Sequence, residues 1–143
     1  MSMTIHVDIV SAEALLHSGV ATMVFAPAVM GEVGIVPRHS PFLSRLTPGE
    51  VRIRTQNSED EIFYVSGGIL EVQPHVVTIL ADTAARAKDL DEARALEARE
   101  RALQLIKDRK SDIDYARVHA ELLEAIAQLK TIQSLRKKLK GRV

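Results

Sequence analysis

The chain has 143 residues, 46% of them apolar and 27% charged, with no cysteine, no tryptophan and a formal net charge of zero. One domain or two small ones fit that length, and the apolar content suffices for a core. The absence of cysteine excludes disulfides and thiolate metal sites, and an aromatic content of 3% leaves the core to Val, Ile, Leu and Ala.

The amino-terminal stretch MSMTIHVDIV carries neither a basic segment nor a long apolar run, so no secretory signal is expected. No stretch approaches ~18 consecutive apolar residues, so no membrane-spanning helix is expected. The expectation is a soluble, cytosolic protein, held at a membrane only through a partner.

Thr4 to Val10 alternates apolar and polar residues, the two-residue period of a half-buried strand. Val51-Arg52-Ile53-Arg54 does the same, with its arginines outward. Val20 to Phe25, Ile62 to Val65, Ile69 to Val72 and Val76 to Leu80 are short apolar runs bounded by turn residues. Strands of that length and spacing read as an antiparallel sandwich or barrel.

Two segments read as loops: Met30 to Pro41, with two glycines and two prolines, and Ser66-Gly67-Gly68. Turn chemistry alone accounts for both. Glu32 and His39 in the first are possible metal ligands, but they lack a third. His6, His17, His75 and His119 are scattered, and there is neither a nucleophile elbow nor a phosphate loop.

The chain changes character near residue 86. All five prolines and six of the seven glycines precede it, and none occurs from Ala87 to Lys140. Proline and glycine are disfavoured inside helices, so residues 1–86 form a turn-rich module and residues 87–143 a helical one.

Asp89 suits an N-cap, with Glu92 three residues on completing a capping box. Leu96, Leu103 and Ile106 form one apolar stripe. The polar stretch Lys107 to Asp112 reads as a connection, with Ser111 or Asp112 capping a second helix. There Leu122, Ile126, Leu129 and Ile132 form a stripe, and Ala116, Ala120, Ala125 and Ala127 let a neighbour approach closely. The result is an antiparallel hairpin with helices of roughly 17 and 25 residues, about 25 and 38 Å long. Helices of that size are marginal alone, so the hairpin leans on the sandwich or on another protein. Permanent docking and movable docking are both compatible with the pattern.

Residues 1–86 hold five Lys+Arg against nine Asp+Glu, and residues 87–143 hold fourteen against ten. The two modules therefore carry net charges of −4 and +4. The positive excess gathers at Arg136, Lys137, Lys138, Lys140 and Arg142. Cations complement a helix C-terminus, and they also attract acidic partners. Nucleic acid is not an expected partner, because no stacking aromatics or recognition motif accompany the charge.

Several segments, in order along nearly the whole chain, resemble the epsilon subunit family of bacterial rotary proton-translocating ATP synthases. They are Met30-Gly-Glu-Val-Gly-Ile-Val-Pro37 with His39, Ser66-Gly-Gly-Ile-Leu-Glu-Val-Gln-Pro74, Val77-Thr-Ile-Leu-Ala-Asp-Thr-Ala84, Asp89-Leu-Asp-Glu-Ala-Arg94, Asp114-Tyr-Ala116 and Ala125-Ile-Ala-Gln-Leu129. The resemblance implies an α+β fold: a flattened ten-stranded antiparallel β-sandwich in residues 1–86, then a two-helix regulatory domain in residues 87–143. It implies a non-catalytic rotor subunit that binds gamma and the c-ring on the cytoplasmic face of a bacterial plasma membrane. Glu32 and His39 would face the c-ring. The helices would restrain ATP hydrolysis by extending between gamma and the alpha and beta subunits. Arg136, Lys137 and Lys138 would then meet an acidic segment of beta.

Some family members bind ATP on the compact hairpin, through a motif that Leu90-Asp91-Glu92-Ala93-Arg94-Ala95 matches. Asp91 would meet the polar edge of the nucleotide, and Arg94 and Arg101 its phosphates. Tight binders carry arginines where this chain has Glu124 and Gln128, so only weak binding is implied, and no cofactor is required. The same motif also reads as helix capping plus a surface pair. Two rivals stand beside this reading: a free-standing ligand-binding sandwich with the hairpin as lid, and a small hydrolase using His39 and Glu32. If the hairpin moves, the expected hinges are Ala84 to Asp89 and Lys107 to Asp112.

Overall fold

The structure, a computed structural model, describes residues 3–57, 59–108 and 112–141, with the side chains of all but 112–114. The expected caps at Ser111 and Asp112 and the tail residue Arg142 lie outside the described side chains. Ten strands come first: β1 (Ile5–Ser11), β2 (Leu15–Ala21), β3 (Met23–Ala28), β4 (Gly31–Ile35), β5 (Phe42–Leu46), β6 (Gly49–Arg54), β7 (Asp60–Val65), β8 (Gly68–Val72), β9 (Val76–Ala81) and β10 (Ala84–Arg86). A 3₁₀ turn (Ala87–Asp89) then leads to helices α1 (Glu92–Asp108) and α2 (Asp112–Lys140).

The strands run in the order β10-β7-β6-β3-β5-β8-β9-β1-β2, with β4 paired to β3. One pairing departs from the antiparallel expectation. β1 lies parallel to β9, from His6 opposite Val76 to Ser11 opposite Ala81. No hairpin joins these two strands, so no turn dictates their relative direction.

Alternation places Val7 and Ile9 inward on β1, Val51 and Ile53 on β6, and Val77 and Ile79 on β9, all fully buried. Val24, Ile35, Phe63, Val65 and Leu70 complete this interior. β7 is buried on both faces. Phe63 and Val65 belong to the sandwich core, and Ile62 and Tyr64 lie on the opposite face, where α2 packs.

The run Val20 to Phe25 is two strands rather than one. The chain turns at Thr22, whose backbone N and Oγ1 both donate to the Arg54 carbonyl, at 2.8 and 3.2 Å. The segment read as a loop at Met30–Pro41 contains β4, and Gly31 takes φ 125° in the tight turn before it. Gly68 takes φ 135°, and a Cβ there would lie 2.1 Å from the Leu80 carbonyl oxygen. Close backbone approach is thus why glycine stands at that position.

The expected hinge Ala84 to Asp89 is ordered structure: β10 pairs with β7, and the 3₁₀ turn buries Ala87. That turn uses Asp89, and Leu90 is extended after it. The cap therefore shifts to Asp91, whose Oδ1 accepts from the Arg94 backbone N–H at 3.2 Å.

α1 and α2 pack together as an antiparallel hairpin, and α2 also packs on β6 and β7. The contact face of α1 is not the leucine stripe. Ala95 and Ala102 are buried, whereas Leu96 and Leu103 are 37% and 42% exposed. Small residues let the helix axes approach, which turns the neighbouring leucines out to solvent. On α2, Val118, Ala125, Leu129 and Ile132 form one buried row, and Ala127 and Thr131 form a second. Two rows fit a helix packed between α1 and the sheet. Thr131 Oγ1, fully buried, donates to the Ala127 carbonyl at 2.8 Å. Among the described residues, no helix is long and apolar enough to cross a membrane.

Candidate functional site

The outer face of the sandwich away from α2 carries an uncovered apolar row. Cross-strand register aligns Ile69 with Leu80, Leu80 with Val10, and Val10 with Leu15, across β8, β9, β1 and β2. Ile69, Leu80 and Leu15 are 45%, 46% and 61% exposed, and Leu43 on the neighbouring strand β5 is 71% exposed. Arg45, opposite Ile69, ends the row with a cation. Scattered exposed apolar residues are ordinary, but a contiguous set on one sheet face marks an interaction surface. The sequence reading missed this row. Its only local signal was outward-phase apolar residues in β8 and β9 where β6 has arginines.

Glu32 and His39 have separate partners. Glu32, on β4, accepts from Arg52 Nη2 at 3.3 Å, and the Arg52 guanidinium lies 4.3 Å from the Phe25 ring centroid. His39 lies between β4 and β5; its Nδ1 donates to the Ser40 carbonyl at 2.6 Å, and its ring stands edge-on to Phe42. Arg38 beside it takes φ 66°, an uncommon conformation for a side-chain-bearing residue, and its backbone N–H is anchored to the Pro74 carbonyl at 2.9 Å. Among the described residues, no three His, Cys, Asp or Glu side chains gather in a metal-holding group.

Of the residues matched to the nucleotide motif, Asp91 is engaged as the cap of α1. Arg94 and Arg101 are exposed, seven residues apart on one face of the helix. Glu124 and Gln128 lie on α2 toward Tyr64 of the sandwich. Burial, followed by the neighbouring charges of Glu121 and Asp82, pushes the Glu124 carboxyl above its usual range. The Tyr64 hydroxyl is buried beside Gln128 without a hydrogen bond of ordinary geometry, and its pKa is pushed up to about 12, chiefly by burial.

The basic end of α2 is engaged within the chain. Arg136 Nη1 donates to Glu92 Oε1 at 3.2 Å, and Nη2 donates to Oε2 of the same carboxylate. Lys138 Nζ donates to the Asp60 carbonyl at the start of β7. Lys137 is exposed.

Residues 4–87 match the family model of the ATP synthase delta/epsilon chain β-sandwich domain, and residues 88–133 that of the delta/epsilon chain long α-helix domain. The ATP synthase epsilon chain of Nitrosococcus oceani is 63% identical over 139 residues, covering 97% of this chain and 99% of the relative. That of Alkalilimnicola ehrlichii is 60% identical over 137 residues, covering 96% and 98%. A chain of the Euglena gracilis mitochondrial ATP synthase, solved as an OSCP/F1/c-ring assembly, shares the fold with a TM-score of 0.69 at 19% identity, over 95% of this chain and 81% of its own. With both halves matched in order, the chain belongs to the ATP synthase delta/epsilon family, whose epsilon chains are non-catalytic subunits of that complex.

Proposed function

We propose that the chain is a central-stalk rotor subunit of a proton-translocating ATP synthase, bound to gamma through the uncovered sheet face. The supporting observation is the row Leu15, Val10, Leu80 and Ile69, in which Leu15, Leu80 and Ile69 are exposed and Val10 is half-buried, while the strands β6 and β7 are covered by α2. The β4–β5 region, with Glu32 and His39, is the surface offered to the c-ring. In that assembly the protein is peripheral, on the cytoplasmic face of a bacterial plasma membrane.

The helices act as a displaceable brake on ATP hydrolysis. Small side chains and a half-buried carboxylate seat α2, so its docking is weak enough to reverse. The extended pair would lie between gamma and the alpha and beta subunits, with Arg136, Lys137 and Lys138 meeting an acidic surface of beta. ATP is at most a weak regulatory ligand of Asp91, Arg94 and Arg101, because Asp91 is committed to its cap and Glu124 repels phosphate.

The rival sandwich with a lid has less support. The sandwich interior is filled by Val7, Ile9, Val24 and Ile53, and α2 covers an outer sheet face. A hydrolase built on His39 and Glu32 fares no better, since Glu32 is paired with Arg52.

Replacing both Ile69 and Leu80 with Glu tests the reading. Recovery with gamma is expected to fall at least tenfold, while the unfolding midpoint stays near that of the parent. Undiminished recovery rejects this face as the gamma surface. Ending the chain after Ala87 is expected to leave assembly intact and release hydrolysis from inhibition.

A further inference from the structure

We propose that Glu92 and the Asp60 carbonyl form a two-point clasp on the end of α2, withholding Arg136 and Lys138 from an acidic partner until the helix leaves both α1 and the sandwich. This rests on the reading of the hairpin as a movable regulator.

Residues two apart on a helix project about 200° apart, so Arg136 and Lys138 grip from opposite flanks. Arg136 reaches α1 and Lys138 reaches β7. Both receiving groups are held by other interactions. Glu92 is the first residue of α1, where the helix dipole favours a carboxylate. The Asp60 carboxylate accepts from Arg54 Nε at 3.1 Å, which fixes the residue whose backbone oxygen Lys138 reaches. A two-pronged guanidinium–carboxylate pair is directional, and it commits the outer edge of the guanidinium, one N–H from each terminal nitrogen, to Glu92. The packed state therefore occupies two of the four cations at the end of α2 (Arg136, Lys137, Lys138 and Lys140), and both are free once α2 has parted from α1 and from the sandwich. Both contacts bridge separate elements: the Lys138 contact exists only while α2 lies on the sandwich, and the Arg136 contact only while α2 lies against α1.

The full chain has no cysteine, which provides a direct test. Ala127, 7% exposed on α2, becomes a reporter when replaced by Cys, because its thiol reacts only when α2 lifts. At low ionic strength, Glu92→Gln and Arg136→Gln are each expected to raise the labelling rate about two- to fourfold, with helix content unchanged. The exchanged pair, Glu92→Arg with Arg136→Glu, is expected to recover at least half of that change. A ten-residue oligoglutamate peptide should bind Glu92→Gln more tightly than the parent, by about the same factor. Unchanged labelling in both single variants overturns the clasp, as does a rise accompanied by lost helix or not recovered by the exchange. Equal peptide affinity overturns the withholding of the cations. None of these measurements needs the assembled synthase. Altered labelling without altered inhibition of hydrolysis would count against the regulator reading and leave the clasp standing.

Discussion

Arg86, on the last strand of the sheet, donates through Nη2 to the carbonyl of Leu16, on the strand at the other end, at 2.8 Å. The hydrogen bond spans β10 and β2 and draws the open sheet toward closure. The Arg86 guanidinium lies 5.3 Å from the Phe63 ring centroid, and the His17 ring stands edge-on to the same ring, also at 5.3 Å. Arg86→Met keeps most of the stem and removes the donor. It is expected to cost about 1.5–3 kcal/mol, the range for a hydrogen bond from a charged group, read as a lower urea midpoint.

Gly68 and Gly31 have similar backbone angles, φ 135° and 125°, but different surroundings. A Cβ at Gly68 meets the Leu80 carbonyl oxygen at 2.1 Å, while one at Gly31 meets nothing within 4 Å. Gly31→Ala is expected to cost about 1 kcal/mol of backbone strain alone. Gly68→Ala must also separate β8 from β9, with a loss of at least about 3 kcal/mol. Thermal unfolding of the two variants compares them, and equal losses would contradict the close approach.

The alanine face of α1 makes a prediction opposite to hydrophobicity. Ala102→Leu adds apolar surface but is expected to weaken docking by about 1–3 kcal/mol, because the buried face has no room. Leu103→Ala, at an exposed position, is expected to change stability by less than about 0.5 kcal/mol. Protection of α2 amides from hydrogen exchange separates the two.

Glu124 couples docking to pH. Its carboxyl pKa is higher when docked, through burial and then the charges of Glu121 and Asp82, than when α2 is free in water. The docked state therefore holds the proton more tightly. Docking is unhindered below the ordinary Glu value and weakens as pH rises through the raised, docked value, where the charged form must be desolvated. The other charged groups on the sheet beneath α2 include Glu50, Arg52, Arg54 and Asp60, and Tyr64 stays neutral throughout this range. Glu124→Gln is expected to strengthen docking at pH 7 and to flatten this part of the pH profile, measured as α2 amide protection corrected for intrinsic exchange. A variant with unchanged protection at pH 7 would show that the carboxylate carries no docking penalty.

Much of the architecture was legible because its causes are local. The two-residue period of β1 and β6, the breaks at Gly31 and Gly67-Gly68, and the stretch free of glycine and proline each act within a few residues. The capping error at Asp89 was a local ambiguity as well. Asp89 and Asp91 both suit an N-cap, and the 3₁₀ turn that takes up Asp89 decides in favour of Asp91. The surfaces were harder to read. Ile69 and Leu80 look like core residues in isolation, and their exposure follows from the phase set by their neighbours in β5, β1 and β2. Arg136 reads in sequence as a helix-end cation, and its carboxylate partner lies 44 residues earlier in the chain.

Sequence alone sufficed for a β module followed by a helical one, for the helix segments and strands β1 and β6 to β9, and for a family resemblance carried by ordered motifs. Backbone preference and side-chain periodicity act at short range, and they suffice for that. Tertiary packing was needed to settle that β1 runs parallel to β9, that α1 turns Ala95 and Ala102 inward rather than its leucines, and that Arg136 and Lys138 are held by Glu92 and Asp60. These outcomes depend on which distant surfaces meet and how closely they approach. Periodicity within one segment says which residues share a face, and packing against the rest of the chain decides what that face touches.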